Sequence, residues 1–532
     1  MSHKHHHTSA CNPGEHKMWS RRDFLHTLGV TGGVGLAMGG FSLNALAAPL
    51  LTPPGGNDRI LVLIRLKGGN DGLNTIIPIY DFGTYKNKRP TIYIPQSETW
   101  SLNQELAMPK TTSRLTKLWN NGAMKVISGV GYDNHNLSHF TSSDVWNSAK
   151  PEIESIEDKS GWLARYLLHQ QPDYLENLPE IPGAIKVNSG SNIAFNNPDR
   201  IDLAVNFNTP DKLIEIAEKG FYYDTQSLPD DCYYGDQIGF LRSVLNVTYK
   251  YAPAISNAYK AGSNTVVYSN NALSQQLAIV AKLIKGGLGT KMYMVTLDGF
   301  DTHENQNTAH PQLMNQLASA VSEFYDDLGT EFNNDVLSLT FSEFGRRVAE
   351  NNGGTDHGTA APVMLFGNAL QGSASLGKLP NLSQLDANGN LKHTTDFRSV
   401  YATLLESWLC LPPAAVDSIL GDEFQRIDDL GLECLSSSTT NVPLLQGLTH
   451  QGRVAEDGSI FIQFEMQRPG HVRLELLAVT GQVIAMPVNG NLSEGVHQTM
   501  MGGQRLGLGN GMYIYRIETA GKSYSGKLIF VQ

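Results

Sequence analysis

Continuous apolar runs rich in Val, Ile and Leu recur at Ile60–Leu66, Met124–Val130, Met292–Leu297, Val336–Phe341 and Pro362–Phe366. Runs of this length without polar alternation suit parallel strands covered on both faces. Helical periods fall between and after them. They run over Ser274–Lys285 behind Asn270-Asn271, over Gln312–Leu328, and over Phe397–Leu409, where Thr395 or Asp396 can cap the N-terminus. Strands alternating with helices predict a doubly wound α/β domain with a mainly parallel sheet, over residues 48–437. Across 153–268 the periodicity weakens and Asn, Asp and Tyr accumulate, so an inserted cap or long-loop region is expected. From about Asn441 the texture changes to short alternating stretches (SIFIQFEM, HVRLELLAV, GMYIYRIET, YSGKLIFVQ) parted by Gly and Asn turns. That pattern predicts a small all-β sandwich over 438–532.

The first residues are polar, with Cys11 and the run His5, His6, His7. Ser20-Arg21-Arg22-Asp23-Phe24-Leu25 follows, then a glycine-rich, mildly apolar stretch from Leu28 to Leu43 and the small-residue site Ala45-Leu46-Ala47. The whole resembles a twin-arginine export signal over residues 1–47. The stretch is too short and too rich in glycine for a permanent membrane span. The twin-arginine translocase is therefore an expected partner, with export in the folded state.

The chain of 532 residues carries a formal net charge of −11, which speaks against nucleic acid as a partner. Beyond the leader the cysteines are Cys232, Cys410 and Cys434. An odd number excludes a full disulfide framework but allows one bridge. Cys410, inside LLESWLCLP, reads as a core residue.

Chemistry-bearing residues sit just beyond the apolar runs. In parallel sheets ligands bind outside the carboxyl ends of the strands. Asp71 lies in Gly68-Gly69-Asn70-Asp71-Gly72, where it is either a ligand or a turn residue. Asp301 and His303, two apart in an extended loop, project to one side and can reach one cation. Mixed carboxylate and imidazole ligation suits Zn, Mn or Fe better than Ca, with Zn or Mn the leading choice. Glu343 follows its run directly, either as a ligand or as a carboxylate at a helix start, and Arg346 or Arg347 can clamp an oxyanion. His357, in a Gly/Thr loop ahead of a buried run, reads as a ligand. In Asn134-His135-Asn136-Leu137-Ser138-His139-Phe140, Ser138 is either a nucleophile or an N-cap, and His139 is a candidate general acid.

Taken together, LIRLKGGNDGLNTIIP, SHFTSSDVW, LIKGGLGTKMYMVTLDGFDTHENQ, SEFGRRVAENNGGTDHGTAAPVMLFG and DFRSVYATLLESWL resemble the exported family catalogued as domain of unknown function 1501. That family is placed in the alkaline-phosphatase-like superfamily with sulfatases and phosphopentomutases. The resemblance implies a sheet of alkaline-phosphatase-like type and one or two divalent ions held by Asp71, Asp301, His303, Glu343 and His357. It implies Ser138 as nucleophile, with His139 and Arg346 assisting. Phe344 stands where the family relatives carry a ligand histidine, so a second ion is weakly held or absent. The formylglycine pattern of sulfatases is missing around Ser138, which favours phosphate. The end of the chain, Gly511-Met512-Tyr513-Ile514-Tyr515-Arg516-Ile517 onward, resembles the sorting domain of type IX secretion substrates. The expectation is a secreted or surface hydrolase of phosphate or sulfate esters that travels through the periplasm by the type IX machinery. Its substrate would be an anionic small molecule or polysaccharide. The alternative is a non-catalytic surface or matrix protein that binds a metal or an anionic polysaccharide on the same fold.

Overall fold

The computed structural model describes residues 59–219, 248–434 and 449–530, with short breaks at 176, 191, 352, 433, 455–458, 467–469, 479–482, 503–505, 510 and 520–521. The leader and Cys232 lie outside the described residues. Two compact units divide between Cys434 and Leu435.

In the first unit, β1 (Ile60–Lys67) is buried at every position but its last. It lies at the centre of a sheet built from β2 (Met124–Gly131), β3 (Ala184–Val187), β4 (Val205–Phe207), β5 (Met292–Asp298), β6 (Val336–Phe341), β7 (Ala361–Phe366) and β8 (Ala374–Leu376). The strand order is β8-β2-β7-β6-β1-β5-β3-β4, and Thr395–Asp396 pairs beside β2. All pairings are parallel except those of β7, which runs against both β2 and β6.

Alternate residues of β1 enter two separate cores. Val62, Ile64 and Leu66 join one with Leu277, Leu317 and Phe324, while Leu61 and Leu63 join the other with Trp146, Trp162 and Tyr401. Because side chains alternate across a strand, an apolar run without polar gaps requires a layer of helices on each face. On the described residues these helices are α1 (His139–Ser148), α2 (Trp162–Gln170), α3 (Ala272–Lys285), α4 (Gln306–Phe332) and α5 (Phe397–Thr403). Asn271 caps α3 by accepting from Ser274 N at 2.9 Å, and Asp396 caps α5 by accepting from Arg398 N at 2.8 Å. No helix among the described residues is long and apolar enough to cross a membrane.

Three expectations are corrected. The segment 153–268 is not a separate cap, because β3 and β4 extend the central sheet from within it. The run Pro362–Phe366 belongs to an antiparallel strand, since it enters the sheet from the edge where the parallel strands end. Cys410 is exposed, adopts a positive φ of 60°, and is bridged to Cys434.

The second unit contains a three-stranded sheet (Thr449–Val454, Ser459–Met466, Gly495–Gly502) and a four-stranded one (Val483–Leu492, Gly470–Ala478, Gly511–Thr519, Lys522–Phe530). Ile460, Ile462 and Phe464 of the first share a core with Leu474, Leu476 and Ile517 of the second. This is a two-layer antiparallel sandwich.

Candidate metal centre

β1, β5 and β6 are adjacent and parallel, with Lys67 opposite Asp298 and Arg65 opposite Phe341, so the loops that follow them emerge side by side. β2 ends at the same edge and feeds the loop that carries Ser138 and His139. Antiparallel β7 begins there, which brings His357 to the group from its N-terminal side. Two glycines permit the close approach. A Cβ on Gly68 (φ +119°) would lie 2.4 Å from Asp301 N, and one on Gly69 (φ +80°) would lie 2.3 Å from the Phe344 ring.

Four side chains converge. His139 Nε2 lies 3.3 Å from Asp301 Oδ2. On the other carboxylate oxygen, Asp301 Oδ1 lies 3.1 Å from His303 Nε2 and 3.2 Å from His357 Nε2, and those two nitrogens are 3.1 Å apart. Ligand atoms of His139, Asp301 and His357 all fall within 4.8 Å of one another.

The other ring nitrogen of each histidine decides what these contacts mean. His139 Nδ1 is 2.9 Å from Glu343 Oε1, His303 Nδ1 is 3.3 Å from Asp356 Oδ1, and His357 Nδ1 is 2.8 Å from Leu137 O. A carboxylate or a carbonyl only accepts, so each Nδ1 carries a proton, and the neutral form of each ring would offer its Nε2 lone pair toward Asp301. Lone pairs and a carboxylate facing one another repel unless a cation lies between them. His139 Nε2 is buried, is off the line of a hydrogen bond to Asp301, and has no partner.

The separations fit a small divalent ion. Atoms about 2.0–2.1 Å from a tetrahedral zinc lie about 3.3 Å apart, close to the 3.1–3.3 Å contacts of the three imidazoles with Asp301. The donor set of imidazoles and a carboxylate suits Zn or Mn. Burial opposes ionisation of Asp301, but the hydrogen bond and charge of Arg346, with His139 and His357, bring its pKa down to about 2. Burial lowers the His357 pKa. The hydrogen bond to Glu343 raises that of His139 against burial.

The roles expected from sequence are redistributed. Asp301, His303 and His357 stand together. His139 joins them, with Nδ1 held by Glu343 and Nε2 turned to Asp301. Glu343 is not among the converging ligands. Its Oε1 holds His139 and accepts from Gly68 N at 2.8 Å, while its buried Oε2 has no hydrogen-bond partner. Asp71 is withdrawn from the site altogether. It is fully buried, paired with Arg89 Nη1 at 2.6 Å, bonded by Gln306 Nε2, and caps the short helix Gly72–Thr75. Arg346 cannot serve as an oxyanion clamp, because its guanidinium is buried and binds the carbonyls of Gly68, Gly69, Phe300 and Thr355 as well as Asp301. It ties three loops together. Ser138 is exposed, and its hydroxyl caps nothing although it precedes α1. Phe344 fills the place of the missing histidine as a platform, its ring centroid 4.9 Å from His139 and 4.6 Å from His357. Sequence reasoning missed Arg89, Gln306, His310 and Asp356. Of these only Asp356, adjacent to His357, carried a signal.

Residues 257–428 match a family described as a protein of unknown function (DUF1501). That stretch holds Asp301, His303, Glu343, Arg346 and His357 but neither His139 nor Asp71. No curated protein matches the chain. Among solved structures, a protein in the alkaline phosphatase superfamily from Vibrio parahaemolyticus shares 10% identity over 85% of this chain and 84% of its own, with a TM-score of 0.29. TAB5 alkaline phosphatase, as a mutant with Mg bound in its M3 site, shares 10% identity over 62% of this chain and 95% of its own, with a TM-score of 0.26. Neither likeness assigns a role to any residue, and the roles above come from this chain's own geometry.

Proposed function

We propose that this chain is a metal-dependent hydrolase of phosphate or sulfate esters, with one divalent ion held by His139, Asp301 and His357 and with His303 beside them. The observation that carries the reading is the shared orientation of the three histidines, each Nδ1 held by an acceptor and each Nε2 turned to Asp301. A divalent ion there supplies Lewis acidity to an ester oxygen and eases ionisation of a nearby hydroxyl. Asp71 is neutralised internally by Arg89, so the expected second ion has no ligand from that loop.

Ser138 immediately precedes the ligand His139 at the start of α1, where backbone N–H groups favour an anion. Its exposed Oγ would lose its proton to solvent and form the bond to phosphorus as the ester P–O bond breaks. The leaving alcohol takes its proton from solvent, to which Asp301 and His303 are open, and water then cleaves the phosphoserine. One observation favours a second reading, a non-catalytic metal-binding protein. The guanidinium of Arg346 is occupied by backbone carbonyls and does not face a substrate.

Export by the twin-arginine route, sorting by the type IX machinery and a place outside the cell belong to the same proposal. The Cys410–Cys434 bridge supports an oxidising compartment, and the two-layer C-terminal unit supports a separate sorting module. Metal content and hydrolysis of p-nitrophenyl phosphate and sulfate, measured beside His357→Ala and Ser138→Ala, test the reading. One equivalent of zinc or manganese, lost with His357, and turnover lost with either variant are expected. Stoichiometric metal without turnover would select the second reading. Full turnover in Ser138→Ala would remove the nucleophile.

A further inference from the structure

Beneath the centre lies a buried polar chain that the proposed reaction does not use. Gln306, the first residue of α4, is fully buried. Its Nε2 donates to Asp71 Oδ2, and its Oε1 accepts from Thr355 Oγ1 at 2.7 Å and from Thr302 Oγ1 at 3.2 Å. Its backbone N–H reaches Gly353 O at 3.1 Å, and Thr355 N reaches Thr302 O at 3.1 Å. Thr302 lies between Asp301 and His303. Thr355 lies two residues before His357 and next to Asp356, the partner of His303.

The direction of this chain is fixed by charge. Arg89, fully buried, helps hold Asp71 ionised, and a carboxylate only accepts. The amide of Gln306 must therefore face Asp71 with its NH₂ group, which leaves its carbonyl to collect both threonine hydroxyls. One side chain thus spans the two loops that carry three of the four converging groups.

We propose that Gln306 is the positioning residue that sets the spacing of the Asp301-Thr302-His303 and Thr355-Asp356-His357 loops, and with it the affinity of the centre for its cation. The proposal rests on the metal-binding reading above. Outer partners that orient ligands typically change metal affinity by about 10–100-fold when removed. A residue that only stabilised the fold would lower the melting temperature of the metal-free protein and leave zinc affinity alone.

The test is zinc affinity of the full chain, by competition with a chromophoric chelator, alongside melting of the metal-free protein. Gln306→Met keeps the length and loses the polar atoms, and it should bind zinc about 10–100-fold more weakly at unchanged stoichiometry. Thr355→Val removes one hydrogen bond with little change of shape. It should weaken zinc about fivefold, read beside the melting of its own metal-free form. Wild-type affinity in a folded Gln306→Met would overturn the proposal and leave the metal centre standing. If Gln306→Met does not fold, Thr355→Val decides by the same criterion. Wild-type protein that takes up no zinc would overturn the proposal together with the metal centre.

Discussion

Replacing Arg89 by Met tests whether Asp71 is held by an internal cation. The guanidinium donates to Asp71 Oδ2 at 2.6 Å, to Asn74 Oδ1 at 2.9 Å, to Val348 O at 2.9 Å and to Arg347 O at 2.8 Å. Both partners of the ion pair have no exposed side-chain surface. Methionine keeps most of the aliphatic volume but leaves a buried carboxylate without its counterion, which costs about 3–5 kcal/mol in such settings. The sign of the pH dependence follows from the charges. In the native protein burial opposes ionisation of Asp71, but Arg89, His310 and the bond from Gln306 prevail and hold its pKa low. This group's stabilisation is present above the unfolded carboxyl pKa and is lost as pH falls through the folded one. Without Arg89, burial dominates and the folded pKa moves above the unfolded one. The variant then takes up a proton on folding, so its deficit is largest at pH 7 and shrinks on acidification. Urea unfolding followed by tryptophan fluorescence reads the first unit alone, because every tryptophan (19, 100, 119, 146, 162 and 408) precedes the boundary after Cys434. A deficit below about 1 kcal/mol at pH 7, or one that grows toward acid, would refute the reasoning.

Two further outcomes are expected from the same neighbourhood. Burial holds His310 neutral, with a pKa of about 4 against an ordinary 6.5. The unfolded chain therefore binds a proton in that interval that the folded chain does not, and stability falls by about 3 kcal/mol as pH drops from 6.5 to 4. His310→Gln should flatten that slope in urea unfolding, and an identical slope in both proteins would contradict the assignment. Gly69→Ala places a Cβ 2.3 Å from a Phe344 ring that itself packs at a tilt against His139 and His357. It should cost about 2–4 kcal/mol and weaken zinc binding, with affinity and unfolding read on the same sample. Unchanged zinc affinity in a folded protein would mean that Phe344 does not brace the ligands.

The parallel core and the loops of the site were legible because each chemical motif directly follows or precedes an apolar run, and strand direction then carries the motifs to one edge. The roles within the loops were not legible, since they depend on distances that spacing does not encode. Ser138 and His139 are neighbours in sequence, yet only His139 turns a nitrogen into the group, through a partner 204 residues away at Glu343. Arg346 looked available for an anion because its acceptors are backbone carbonyls, which leave no trace in side-chain chemistry. The direction of β7 was hidden for a related reason, as a short buried run looks the same whichever way it enters a sheet.

Asp71 and Asp301 show why two similar aspartates at one sheet edge end in different roles. Both follow a buried strand through a glycine turn, and both sit against an arginine. Arg89 reaches Asp71 where neither side chain has exposed surface, and Gln306 and the backbone N–H groups of Leu73 and Asn74 complete its contacts. Such a charge is neutralised permanently and cannot exchange. Arg346 meets only Oδ1 of Asp301, whose side chain is 45% exposed, and leaves Oδ2 facing an unpartnered nitrogen of His139. An exchangeable cation needs a carboxylate that is ionised, partly open, and faced by neutral donors on its free side. Asp301 meets those conditions and Asp71 meets only the first. The proposed reading therefore expects one ion, because Arg89 is buried completely with Asp71 while Arg346 leaves one oxygen of Asp301 open.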